Sequence, residues 1–174
     1  MNIERPLPKR LHIIKSLQEV LEQISTIDGD SQTLKGKVYR NRSLLGVEVA
    51  GTVPCLSIIE APRPDYATFA GEENTMRRDQ WTILVQGIVG DDKTDNTGDD
   101  AYFLCQDVER RLQRIMATKA GTGNPQYPET YLLGGKITSV EVAPPIVRPP
   151  EAEVSRYAFF YIAVRLGVAL QVGE

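Results

Sequence analysis

Carboxylates are the first residues of this chain whose types and spacing could do chemistry. Asp91-Asp92 and Asp99-Asp100 bracket a short acidic, Gly-containing loop. Neighbouring carboxylates bind Mg²⁺ or Ca²⁺, or act as general acid and base. A divalent-metal-dependent enzyme built on the 91–100 loop is therefore one reading. The loop lacks EF-hand spacing and the bidentate Glu that closes such a site. Asp99 and Asp100 also stand at the start of a helical pattern, where carboxylates cap amides and suit the dipole. Capping accounts for them without a metal, so the expectation is no metal and no cofactor.

Other reactive types are sparse. His12 is the one histidine, so a Ser–His–Asp or Cys–His arrangement would have to be built on it. Its position beside Ile13 reads as a partly exposed helix surface. Cys55 and Cys105 lie 50 positions apart, with no CxxC or HxxxH, which is not metal-ligand spacing. Both read as small buried hydrophobes. Gly134-Gly135-Lys136 fails as a phosphate loop, because Thr130 and Ile137 stand where Gly and Ser or Thr are required. Arg110, Arg111 and Arg114 are interspersed with Asp107 and Glu109. That mixture reads as a solvated or intersubunit salt-linked face rather than a nucleic-acid surface. With no catalytic constellation, the expectation is a protein that is not an enzyme.

The elements that would position these residues follow from periodicity. Ile13, Ile14, Leu17, Val20, Leu21 and Ile24 form one apolar stripe, predicting a helix from about Lys9 to Ser25, with Pro8 at its start. Lys37–Arg40 and Cys55–Glu60 read as strands, the second bounded by Pro54 and Pro62. Residues 61–79 read as a long irregular segment, a candidate contact loop carrying Arg63, Arg77 and Arg78. Trp81–Val89 is rich in β-branched and aromatic residues and reads as a strand. Ala101, Leu104, Cys105, Val108, Leu112, Ile115 and Met116 then recur at helical spacing. Lys136–Val142 alternates as a strand. Ala143–Glu151, with four prolines, reads as a stiff extended arm. Arg156–Val168 is apolar on both faces, as a central strand would be. The predicted fold is α+β: a mainly antiparallel sheet with two helices packed on one face, in a single domain spanning 1–174.

The chain has 174 residues, long enough to bury a sizeable core. Its net charge of -3 gives no global attraction to nucleic acid or an anionic membrane. No apolar run approaches the roughly 20 residues of a membrane span. Met1–Pro6 has no signal-peptide apolar region, so a cytoplasmic origin is expected.

The order of patterns resembles a known family. An N-terminal helix precedes strands that end in a Pro-rich break. Trp81-Thr82-Ile83-Leu84-Val85-Gln86-Gly87 leads through the acidic loop into a helix running from Ala101-Tyr102 through Leu104 and Asp107-Val108-Glu109 to Arg111-Leu112. Pro149-Pro150-Glu151 precedes the strand Ala158-Phe159-Phe160-Tyr161-Ile162. From about Leu11 to Val168 this is similar to the tail-terminator, or tail-completion, proteins of long-tailed bacteriophages. Head-completion and other head–tail adaptor proteins share much of the pattern and form the alternative reading.

The resemblance implies a non-catalytic virion protein of the tail–neck region, assembled in the host cytoplasm. It would form a homo-hexameric ring on the tail tube, end tube polymerisation and offer a surface to the head connector. DNA would pass through the lumen without specific binding. The candidate assembly contacts are Arg63, Arg77 and Arg78 on the long loop, and Pro144, Pro145, Arg148, Pro149, Pro150 and Glu151 on the arm. On this reading, Arg77→Glu with Arg78→Glu weakens ring or tail-tube association and leaves the monomer folded. Sizing columns check the first outcome and circular dichroism the second.

Overall fold

Two strands of fourteen residues each organise the chain. Met76–Val89 (β3) and Ala158–Gln171 (β6) pair antiparallel over their whole length, from Met76 opposite Gln171 to Val89 opposite Ala158. Dense Val, Ile, Leu and aromatic residues favour this extended, buried backbone. The computed structural model describes residues 6–44, 52–61, 76–90, 98–151 and 153–171, apart from the Arg77 side chain. Around the central pair lie β1 (Val38–Arg40), β2 (Cys55–Glu60), β4 (Ser139–Val142) and β5 (Ile146–Arg148). The helices are α1 (Lys9–Glu22), α2 (Asp99–Met116) and the single turn α3 (Leu132–Gly135). The sheet order is β1-β2-β3-β6-β4, with β5 also on β6. β1 and β2 run parallel, and the other pairings of the described strands are antiparallel. The fold is the α+β arrangement that the sequence predicts.

Alternation assigns the two faces. Trp81, Ile83 and Val85 of β3 and Phe160, Ile162, Val164 and Leu166 of β6 meet Ile13, Leu17 and Leu21 of α1 and Leu104, Val108, Leu112 and Ile115 of α2 in one core. Both long helices thus cover the same face. The opposite face holds Leu44, Cys55, Ile88 and Phe159, with Tyr39, Val53, Tyr157 and Tyr161 packed beside them. Gly87 sits directly opposite Phe160. A Cβ there would stand 2.3 Å from the Phe160 ring and 2.9 Å from Leu56. The missing side chain is what lets the aromatic ring lie across the strand.

Several boundaries differ from the sequence pattern. α1 stops at Glu22, and a 3₁₀ turn, Thr26–Asp28, follows. β3 begins at Met76, so Arg77, Arg78 and Asp79 are strand residues rather than the end of an irregular loop. The cause is tertiary: Leu170, Ala169 and Val168 of β6 continue the ladder opposite them. Asp79 also accepts a charge-assisted hydrogen bond from Arg10 of α1, and Arg10 lies 4.9 Å over the Trp81 ring. Lys9 Nζ donates to the Ala169 carbonyl at 2.8 Å, fixing the start of α1 to the same end of the sheet.

The proline-rich run is not a free arm along its length, because Ile146–Arg148 is laddered onto β6. The strand expected from Lys136 begins at Ser139 instead. Leu132, Leu133, Gly134 and Gly135 all take positive φ, between 48° and 79°. Two glycines adopt that backbone freely and two leucines do not. Leu133 is buried, and that burial offsets its strained backbone.

Gly87→Ala is expected to cost roughly 2 kcal/mol through overpacking against Phe160. That corresponds to a melting temperature lower by about 4–8 °C in a chain of this size. Differential scanning calorimetry measures it.

Candidate functional site

The outer edge of the sheet is where the backbone departs from regularity. Val142 lies opposite Val164, and Ile146 lies opposite Tyr161. The edge therefore spends one more residue than β6 between these pairs, which is a β-bulge. Pro144-Pro145 occupies it, where the absence of N–H donors breaks the edge and blunts it against strand addition.

α2 packs beside this edge and leaves a seam. Its apolar stripe of Leu104, Val108, Leu112 and Ile115 is spent on the core. Tyr102, Cys105, Gln106 and Glu109 turn toward β5, where a groove of about 640 Å³ opens against Pro145, Ile146, Val147 and Arg148. A second hollow of about 460 Å³ follows α2 to Val142, Ala143 and Pro144. Tyr102, Phe103 and Ile146 line the first groove and are 64%, 57% and 48% exposed. These exposed apolar side chains make the groove a candidate contact surface.

The thiol on this seam is not activated. Burial pushes the Cys105 thiol up to about 12, and the Glu109 charge adds to the effect. Burial likewise raises the Cys55 thiol above its ordinary value. Both thiols stay protonated at neutral pH and are poor nucleophiles. His12 is exposed on α1. Asp99 and Asp100 are exposed in the first turn of α2. The N-cap is Gly98 and no side chain caps the helix, so these carboxylates serve the dipole and not the capping bond expected of them. Asp91 and Asp92 lie outside the described residues. Among the described residues no three His, Cys, Asp or Glu side chains gather as a metal site would need.

The arginine-rich side of α2 corrects a second expectation. Arg111 is buried, not solvated, and reaches Asp30 at 2.6 Å and Asp28 at 3.7 Å within the same chain. Asp107, also buried, accepts from the Ser31 amide at 2.8 Å, from the Ser31 hydroxyl and from Arg110 at 2.5 Å. Arg114 lies 5.3 Å over the Tyr127 ring. These bonds tie the connection after α1 to α2. Burial pushes the Asp30 carboxyl up, but the Arg111 hydrogen bond, the Ser25 amide and the charges of Arg111 and Arg110 together hold it below its ordinary value.

The predicted contact residues divide between two ends of the molecule. Pro144, Pro145 and Arg148 lie on the seam. Arg148 is exposed and bonds Glu151 at 2.6 Å, Pro149 is exposed, and Pro150 and Glu151 are half-buried. Arg78 is exposed and pairs with Ala169, and the Arg77 backbone pairs with Leu170. Arg63 lies outside the described residues. Arg148 sits opposite Phe159, eleven residues along β6 from Leu170. The two groups are therefore separated by roughly 35 Å along the strand. Tyr102, Phe103 and Ile146 were not among the predicted contacts. Their signal was available for α2, because Tyr102 and Phe103 are aromatic residues off its core stripe.

No model of a known protein family matches this chain, and no curated protein matches it.

The Asp30–Arg111 pair generates a pH dependence. Because the folded-state Asp30 is held low, its contribution is complete above the ordinary Asp value of about 3.9. It is lost as pH falls through the lower folded value. Asp30→Asn is expected to lower unfolding stability by about 3 kcal/mol at pH 7. The gap from wild type should close in acid below about pH 3.9. Urea titrations across pH measure both.

Proposed function

We propose that this chain is a structural virion subunit that closes into a six-membered ring on a bacteriophage tail tube, ends tube growth and presents a surface to the head connector. The observation that carries this reading is the apolar seam between α2 and the bulged edge strand, an exposed groove beside a core that is already closed. Its place in the fold supports assembly rather than turnover. The groove walls are rigid secondary structure, and the thiol in them is held protonated.

The order of elements adds support. The helix, the strands, the long strand before α2 and the final central strand come in the order on which the tail-terminator resemblance rests. Arg78 and the seam lie at opposite ends of β6, so one subunit offers separate surfaces to a tube and to a neighbour. Among the described residues no helix is long and apolar enough to cross a membrane. The work such a subunit does is mechanical. Two helices locked on one sheet face make a rigid block, and heterologous packing of identical blocks closes a ring when the rotation per subunit divides the circle.

The test is tube growth from purified tail-tube protein with and without this chain. The expected outcome is that substoichiometric amounts arrest elongation and cap the ends seen by electron microscopy. Tubes that grow to the same length, with the chain unbound, would reject this role. Capping of the head-side connector with no effect on tubes would assign the chain to the head-completion adaptors instead.

A further inference from the structure

Residues 31–47 contain four cations, Lys35, Lys37, Arg40 and Arg42, and no acid. They carry +4 in a chain whose total is -3, which leaves -7 on all the other residues. The modest net charge hides this asymmetry. The segment forms β1 and its flanks, at the edge of the sheet beyond β2. Five other arginines are neutralised within the chain: Arg10 by Asp79, Arg110 by Asp107, Arg111 by Asp28 and Asp30, Arg148 by Glu151 and Arg165 by Glu141. Among the described residues, none of the four cations at β1 has an ion-pair partner. Glu19 and Glu22 of α1 and Glu60 of β2 stand on the elements packed against β1, yet none of them closes such a pair. Glu22 accepts from Gln18 instead, at 3.4 Å.

Backbone bonds hold the strip in place. Gln18 donates to the Val38 carbonyl at 2.6 Å, and the Asn41 amide donates to the Ile58 carbonyl at 2.8 Å. The Leu44 amide donates to the Gln86 side chain at 2.7 Å. Lys35, Arg40, Asn41, Arg42 and Ser43 are exposed, and Lys37 is half-buried. Arg42 lies 5.1 Å over the Tyr39 ring, which steadies the guanidinium at the surface. Burial raises the Cys55 thiol, and Thr52, Arg42 and Lys37 oppose that rise, so both cations lie near the Cys55 end of the reverse face.

The exposed side chains identify the partner. Arg, Lys, Ser and Asn are among the side chains that contact nucleic-acid phosphates. A protein interface needs an apolar centre depleted of charge. Here the apolar side chains, Leu34, Val38 and Leu44, are all buried. The Tyr39 ring packs on the reverse-face cluster and carries Arg42 over it, so it offers no open face for stacking an unpaired base. Charge and hydrogen-bond donors remain, and these suit the backbone of a duplex.

We infer that the β1 edge contacts the phosphate backbone of a double-stranded nucleic acid without reading its sequence. This contact does not rest on the ring reading above. The experiment is fluorescence anisotropy with two short labelled DNA duplexes of unrelated sequence. Wild type is expected to bind both alike and to lose roughly 150-fold in affinity between about 50 and 200 mM salt, as four phosphate contacts require. Arg40→Ala with Arg42→Ala should lose only roughly tenfold over the same range. Lys119→Ala, at an exposed cation far along the chain, should follow wild type. Native circular dichroism confirms that each variant is folded.

No duplex binding at about 50 mM salt would overturn the inference. So would a strong preference for one duplex, or a double variant with wild-type affinity and salt dependence. A polyglutamate peptide that binds as tightly as DNA and displaces it would overturn it too, and would assign the strip to an acidic protein surface. Duplex binding by a chain that leaves tube growth unaffected would reject the terminator role alone. Tube capping without duplex binding would reject this contact alone.

Discussion

The fourteen-pair ladder between β3 and β6 is the constraint on which everything else depends. It joins residues 69 to 95 positions apart in sequence. Closing so long a loop costs chain entropy before any contact compensates for it. The compensation is burial on two faces at once. Trp81, Ile83, Val85 and the alternating Phe160–Leu170 series sit beneath the helices, and Ile88, Phe159 and Tyr161 sit on the reverse. Gly87 shows how tight the fit is, since Phe160 fills the volume a side chain would occupy there. The length of β6 also leaves room for β4 and β5 on its outer side, end to end, with the proline bulge between them.

The helices are held to that ladder by specific polar bonds as well as by burial. At one end, Lys9 and Arg10 tie the first turn of α1 to Ala169, Asp79 and Trp81. At the other, Asp30, Ser31, Asp107 and Arg111 tie the α1 exit to α2. A buried ion pair adds little net stability, but it penalises every arrangement that leaves its charges unpaired. These bonds therefore fix position. The second set places the Thr26–Asp28 turn against α2.

Much of this fold was legible in the sequence. The α1 and α2 stripes, the Cys55–Glu60 strand and the two-faced final strand have strong periodic patterns, and the structure forms each of them. What was not legible depends on partners distant in sequence. Met76–Gln80 is polar and charged, and it is a strand because β6 continues opposite it and Arg10 meets Asp79. Ile146–Arg148 sits among prolines, and a single free edge on β6 makes it a strand. Arg111 and Asp107 carry the composition of a solvated helix face. Their burial follows from the Asp28–Ser31 segment folding over them, which no local pattern encodes. The site was legible in part. The prolines and Arg148 drew attention to the edge strand, whereas Tyr102 and Phe103 acquire meaning only once β5 is seen to lie beside α2.

The proposed function holds that this chain acts by joining copies of itself. Electron microscopy of the purified protein, with particle images averaged without imposed symmetry, tests it most directly. The account predicts closed rings of six subunits with an open lumen. A field of single subunits at all concentrations, or of two-fold dimers, would contradict it.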